Sequence, residues 1–180
     1  MPRIYLSPST QEFNFTVGGI TEEDAMNLIA DAMIPYLEAS GIEYVRNSRT
    51  MTVADTAQEA NESNIDFYLS LHSNAAGEAN SGRIRGAEIY YYPTSAESRR
   101  AAVIFANNYK LIYPLPNRVS VIGLGTFIEL NRTTMPAILF ELFYHDNLDD
   151  FSWFYDNIPQ IAKNLSVSVA DFLGVRFNEP

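Results

Sequence analysis

Ile65-Asp66-Phe67-Tyr68-Leu69-Ser70-Leu71-His72-Ser73-Asn74-Ala75 is the stretch whose reading decides the fold. Aromatic and aliphatic residues run almost unbroken to Leu71, as in a central strand covered on both faces. The run stops at His72, and Ser73, Asn74, Ala75, Ala76 and Gly77 are loop formers. One of only two histidines thus sits at the carboxyl end of a core strand. In open α/β sheets that edge is where ligands bind. A histidine that caps the strand through a hydrogen bond would look the same, so the rest of the chain must discriminate.

Upstream, Val53 to Asn64 is rich in Ala, Gln and Glu and predicts a helix feeding directly into this strand. Before it, Ile42 to Val45 reads as a strand. Thr21-Glu22-Glu23-Asp24 reads as a helix start, with Thr21 as N-cap and acids in the first turn. That helix runs to about Ser40, with Met26, Ile29, Ala30, Met33 and Leu37 on one face, and Gly41 ends it. The chain opens with a short strand, Arg3 to Leu6, followed by the loop Ser7-Pro8-Ser9-Thr10-Gln11-Glu12.

Downstream, Ala76 to Arg85 reads as a surface loop and Gly86 to Tyr92 as a strand, with a helix from Pro93-Thr94-Ser95 to about Tyr109. Ile112 to Gly125, punctuated by Pro114, Pro116, Gly123 and Gly125, predicts a long irregular connection. Phe127 to Leu130 predicts a short strand, and Met135 to Phe143 a strongly apolar one. A single long helix is expected from about Asp149 to Leu173, burying Trp153, Phe154, Ile158, Ile161, Leu165, Val169 and Phe172. Alternating strands and helices predict a single α/β domain over residues 1–180. Its sheet is expected to be mostly parallel and twisted, with about six strands and helices on both faces.

Composition narrows the function. The 180 residues suffice for one domain with a real core, and no cysteine is present to form a disulfide, a thiolate nucleophile or a cysteine-built metal site. A formal charge of -10 argues against nucleic acid or an anionic membrane surface as partner. No apolar stretch approaches membrane-spanning length, and Met1-Pro2-Arg3 does not read as the opening of a signal peptide, so none is expected.

Glu141, alone inside an apolar strand, is the most informative carboxylate, because a buried charge must be paired, hydrogen-bonded or metal-bound. Pairing with Arg132 or Arg118 would be a purely structural solution. Glu22 and Glu23 are acids in a helix first turn, which is commonplace. His145 suits either a ligand or a turn residue. A Ser-His-Asp hydrolase using Ser7 or Ser9 lacks any G-x-S-x-G elbow.

Leu69-Ser70-Leu71-His72-Ser73-Asn74-Ala75 resembles the S-[IL]-H-x-N-A strand of the zinc-dependent N-acetylmuramoyl-L-alanine amidases of the amidase-3 group. Ala60-Asn61 is similar to that family's A-N pair, and Gly86-Ala87-Glu88-Ile89-Tyr90-Tyr91 to its G-x-E-x-[YF]-[YF] strand. Pro136-Ala137-Ile138-Leu139-Phe140-Glu141, followed by Asn147, resembles the strand carrying the family's catalytic glutamate. The resemblance implies zinc held by His72 and Glu22, with Glu23 as the register rival, and Glu141 as general base and acid.

The family's D-P-G-H-G-G loop is replaced by Ser7-Pro8-Ser9-Thr10-Gln11-Glu12, so its loop histidine is missing. Gln11 is the first candidate to replace it, ahead of Glu12, His145 or water. Ser73, Asn74 and the loop from Pro114 to Gly125 are placed to hold substrate. The implied activity is hydrolysis of the amide between N-acetylmuramic acid and L-alanine in peptidoglycan. A monomer is expected, made in the cytoplasm and acting on the cell wall as a phage-type endolysin, or else a domain excised from a secreted or spore-associated amidase. The competing expectation is a non-catalytic peptidoglycan-binding or interaction module that has lost its first zinc ligand.

Overall fold

A computed structural model of the chain describes residues 1–180. Six strands form one sheet: β1 (Arg3–Pro8), β2 (Glu43–Arg46), β3 (Phe67–Asn74), β4 (Ala87–Tyr91), β5 (Val119–Gly123) and β6 (Ala137–Tyr144), in the order β2-β1-β3-β6-β4-β5. The pairs β1/β2, β1/β3, β3/β6 and β4/β5 are parallel, while β4 runs antiparallel to β6. The helices are α1 (Glu22–Ala39), α2 (Val53–Glu62), α3 (Ala96–Tyr109), α4 (Ile128–Asn131), α5 (Leu148–Asp156) and α6 (Ile158–Leu173). The chain is therefore α/β with a mostly parallel sheet, as its alternating pattern predicts.

Strand periodicity divides the core in two. Ile4, Leu6, Phe67, Leu69, Leu71, Ile138, Phe140 and Leu142 enter a large cluster with residues of α1, α3 and α6. Tyr5, Tyr68, Ala137 and Leu139 enter a smaller one with Ala60 of α2 and Leu130 of α4. By the same alternation, His72 and Glu141 belong to the side of the smaller cluster, and they are direct neighbours in the β3/β6 register. Asn61 of α2 secures that side. Its Nδ2 donates to Arg132 O (2.8 Å) and its Oδ1 accepts from Thr134 N (2.9 Å), pinning the segment between α4 and β6.

Three expectations are corrected. The connection from Ile112 to Gly125 contains β5, an edge strand whose β-branched Val119 and Val121 were outweighed by the surrounding Pro and Gly. Phe127 to Leu130 does not form a strand. Ile128–Asn131 is one helical turn, and the three-residue spacing of Phe127 and Leu130 lets both pack against the smaller cluster. The expected long terminal helix is two helices, because Pro159 has no N–H to continue the ladder and the chain breaks at Asn157. No helix is long and apolar enough to cross a membrane.

The strand reversal at β4 depends on Asp150, which is fully buried. Its carboxylate accepts from Arg85 Nε (2.7 Å), Tyr113 Oη (2.8 Å), Gly86 N (3.2 Å) and Tyr144 N (3.1 Å). Gly86 itself has φ +152°, and a Cβ there would lie 2.9 Å from Arg118 O, so only glycine fits. Asp150→Ala strands these donors and leaves Arg85 without its enclosed partner. We expect a loss of about 3 kcal/mol in urea unfolding at unchanged m-value; a loss below about 1 kcal/mol would contradict this role.

Candidate active site

Glu22 is the first residue of α1, directly after the N-cap Thr21, whose Oγ1 accepts from Asp24 N at 3.0 Å. The cap turns Glu22 towards the sheet, where its Oε1 lies 2.8 Å from His72 Nδ1. Its Oε2 accepts from Asn14 Nδ2 at 3.2 Å, and its backbone N donates to Asn14 O at 2.7 Å. Glu23 faces elsewhere, with Oε1 3.3 Å from Arg49 Nη1.

His72 is buried and meets a carboxylate at each nitrogen. Glu22 stands at Nδ1, and Glu129 Oε1 lies 3.4 Å from Nε2. Burial opposes its charged form, but the hydrogen bonds with Glu129 and Glu22 and the charges of Glu22 and Glu141 prevail, raising His72 to about 10. For Glu22, burial is likewise outweighed by the hydrogen bond and charge of His72, which hold its carboxyl below the usual range.

Glu141 differs from both. No arginine pairs with it, and its Oε2 is enclosed without any hydrogen-bond partner. Burial, opposed by His72 and reinforced by Glu22, Glu88 and Glu129, raises it to about 7. Glu88 is its neighbour across the antiparallel pairing with β4. That carboxylate is saturated by Asn74 Nδ2 (2.9 Å), Tyr90 Oη and Tyr144 Oη (3.3 Å).

A cleft of about 270 Å³ opens onto His72, Glu129 and Glu141, walled by Phe127, Ile128 and Leu139 and flanked by Gln11. A larger depression of about 530 Å³, beside Arg3, Glu38 and Tyr44, lies at the opposite edge of the sheet and gathers no comparable chemistry. The Gln11 amide oxygen accepts from Asn14 Nδ2, the same group that donates to Glu22. Gln11, His72, Glu129 and Glu141 thus line one cleft, and Glu22 is joined to it through His72 and Asn14.

The other candidates stand apart from it. Glu12 is exposed on its loop. His145 Nδ1 lies 2.9 Å from Ser73 Oγ, neither residue lines the cleft, and Asn74 is engaged with Glu88. Glu129 is the residue that sequence reasoning passed over. Its signal was present: a lone carboxylate inside the apolar run Phe127-Ile128-Glu129-Leu130, as with Glu141 in its strand.

Three carboxylates around one imidazole leave excess negative charge in a buried place, and Glu141 adds an unsatisfied oxygen. An imidazole nitrogen with carboxylate and amide oxygens suits a divalent cation. No three His, Asp or Glu side chains converge at metal-binding distance, so a cation here would need an amide or water donor beside any two of them.

The comparisons agree with this architecture. The family model described as N-acetylmuramoyl-L-alanine amidase matches residues 10–171. No curated protein sequence is significantly similar. Among solved structures, N-acetylmuramoyl-L-alanine amidase AmiC2 of Nostoc punctiforme superposes with a TM-score of 0.85 at 20% identity, covering 96% of this chain and 97% of that one. The catalytic domain of the amidase CwlV from Bacillus (Paenibacillus) polymyxa var. colistinus gives 0.83 at 18% identity, with 98% and 100% covered. The catalytic domain of the CD27L endolysin targeting Clostridia difficile gives 0.76 at 17% identity, with 99% and 100% covered. With the model matched over nearly all of its length, this chain belongs to the N-acetylmuramoyl-L-alanine amidase family.

Proposed function

We propose that the protein hydrolyses the amide joining the lactyl group of N-acetylmuramic acid to the L-alanine of the stem peptide in peptidoglycan, with a zinc ion as cofactor. The observation that carries this reading is Glu141: a carboxylate with an unpartnered oxygen, raised to about 7, beside His72 in the strand register. A binding module has no use for so costly a group. A general base working near neutrality does.

Zinc would be held by His72, Glu22 and the amide oxygen of Gln11. When bound, it supplies Lewis-acid polarisation of the scissile carbonyl and acidifies an attacking water. Glu141 accepts the proton as water adds to the carbonyl carbon. It returns that proton to the nitrogen as the C–N bond breaks, so the alanine leaves as a neutral amine. Glu22 and Asn14 hold the first loop against His72, and the apolar wall of Phe127, Ile128 and Leu139 limits bulk water in the cleft. The protein acts on the cell wall in this reading, as a phage-type endolysin or as the catalytic part of a larger amidase.

Glu141→Gln tests the base. It should retain zinc while peptide release from purified peptidoglycan falls by about 10²–10⁴-fold; near-normal turnover would refute the assignment. His72, raised to about 10, holds a proton at neutral pH that zinc must displace. The apparent zinc association constant should therefore rise at least about tenfold per pH unit between pH 6 and 8, with one proton from His72 and a further fraction from Glu141 released per metal in calorimetry. A pH-independent affinity would remove His72 from the ligand set. Gln11→Ala should weaken zinc binding about tenfold, and unchanged affinity would assign that position to water.

A further inference from the structure

The two nitrogens of His72 face two different buried carboxylates, and the proposed metal site uses only one of them. Glu22 stands 2.8 Å from Nδ1 and shares the metal in that site. Glu129 stands 3.4 Å from Nε2, is buried, and comes from α4, on the opposite side of the ring. We propose that Glu129 is the positioning residue of the metal centre: it accepts the Nε2–H of His72 and so leaves the Nδ1 lone pair facing the cation. This inference rests on the proposed metal site and adds a partner outside its ligand set.

A neutral imidazole carries one N–H and one lone pair, and whatever accepts the N–H decides which nitrogen is free to bind metal. Glu129 is built to make that choice. Leu130 N and Asn131 N both bond Phe127 O (3.1 Å each), and Asn131 Nδ2 bonds Gly125 O (3.1 Å), closing the turn that carries it. Thr133 Oγ1 donates to the carbonyl of Glu129 itself (2.7 Å), and Asn61 clamps the chain that follows. A carboxylate on the far nitrogen also makes the imidazole a stronger donor. That matters more here than in a site with two histidines, since no histidine stands in the first loop and His72 would supply the only nitrogen.

The test uses the full chain labelled with nitrogen-15 at its two histidines and loaded with cadmium-113 as the probe metal. We expect His72 to be protonated at Nε2 and coupled to cadmium through Nδ1, with His145 uncoupled. Glu129→Gln, which keeps an accepting oxygen and nearly the same volume, should retain this tautomer with a modest loss of cadmium affinity. Glu129→Ala should lose the fixed tautomer and about 10–100-fold in affinity. Unchanged His145 resonances report that the fold is intact; should Glu129→Ala not fold, the wild-type and Glu129→Gln spectra decide alone. Cadmium coupled to Nε2 would overturn this inference while leaving a metal site in place, with Glu22 as the orienting group. Unaltered tautomer and affinity in Glu129→Ala would overturn it as well. No coupling at either nitrogen of His72 would overturn both this inference and the metal reading on which it rests.

Discussion

The contact between Glu22 and His72 is the constraint on which the site depends. It joins the amino end of α1 to the carboxyl end of β3, two elements 50 residues apart in sequence. A carboxylate and an imidazole are brought out of water only if each compensates the other, so their burial fixes the depth of α1 on the sheet. Asn14 extends the constraint, since its backbone carbonyl takes the Glu22 N–H while its side chain bridges Glu22 and Gln11. The first loop is thereby tied to Glu22, and so to His72, with no histidine of its own.

The sheet register then supplies the second half of the site. Parallel pairing of β3 with β6 places Glu141 beside His72, and antiparallel pairing of β4 with β6 places Glu88 on the other side of Glu141. Their environments differ. Glu88 is saturated by hydroxyl and amide donors, whereas Glu141 keeps an oxygen with no partner and is raised towards neutrality. Two neighbouring carboxylates with such different surroundings are the usual sign of an acid–base group beside a structural one.

Much of this was legible in the sequence because it rests on local signals. Leu71-His72-Ser73 marks a strand end, Thr21 marks a helix start one residue before Glu22, and a lone Glu141 in an apolar strand marks a group with a task. What escaped was set by tertiary context. Val119 to Gly123 becomes a strand only because the β4 edge is free to receive it. Phe127 to Leu130 is too short for periodicity to separate strand from helix, and reading it as a strand hid Glu129. The break at Asn157 was within reach, since Pro159 stands just inside the second helix, but a continuous apolar stripe concealed it.

In the proposed reading, this cleft of partly unmatched negative charge binds a cation and moves one proton. The central claim is the bond that is cut. Digestion of purified peptidoglycan by the zinc-loaded protein, followed by mass spectrometry and amino-terminal labelling of the products, tests it most directly. The account predicts free stem peptides with a new amino-terminal L-alanine, glycan strands bearing a free lactyl carboxylate, and neither product once the metal is chelated. Intact peptidoglycan with the protein bound to it, or cleavage at a glycosidic or peptide–peptide bond, would contradict it.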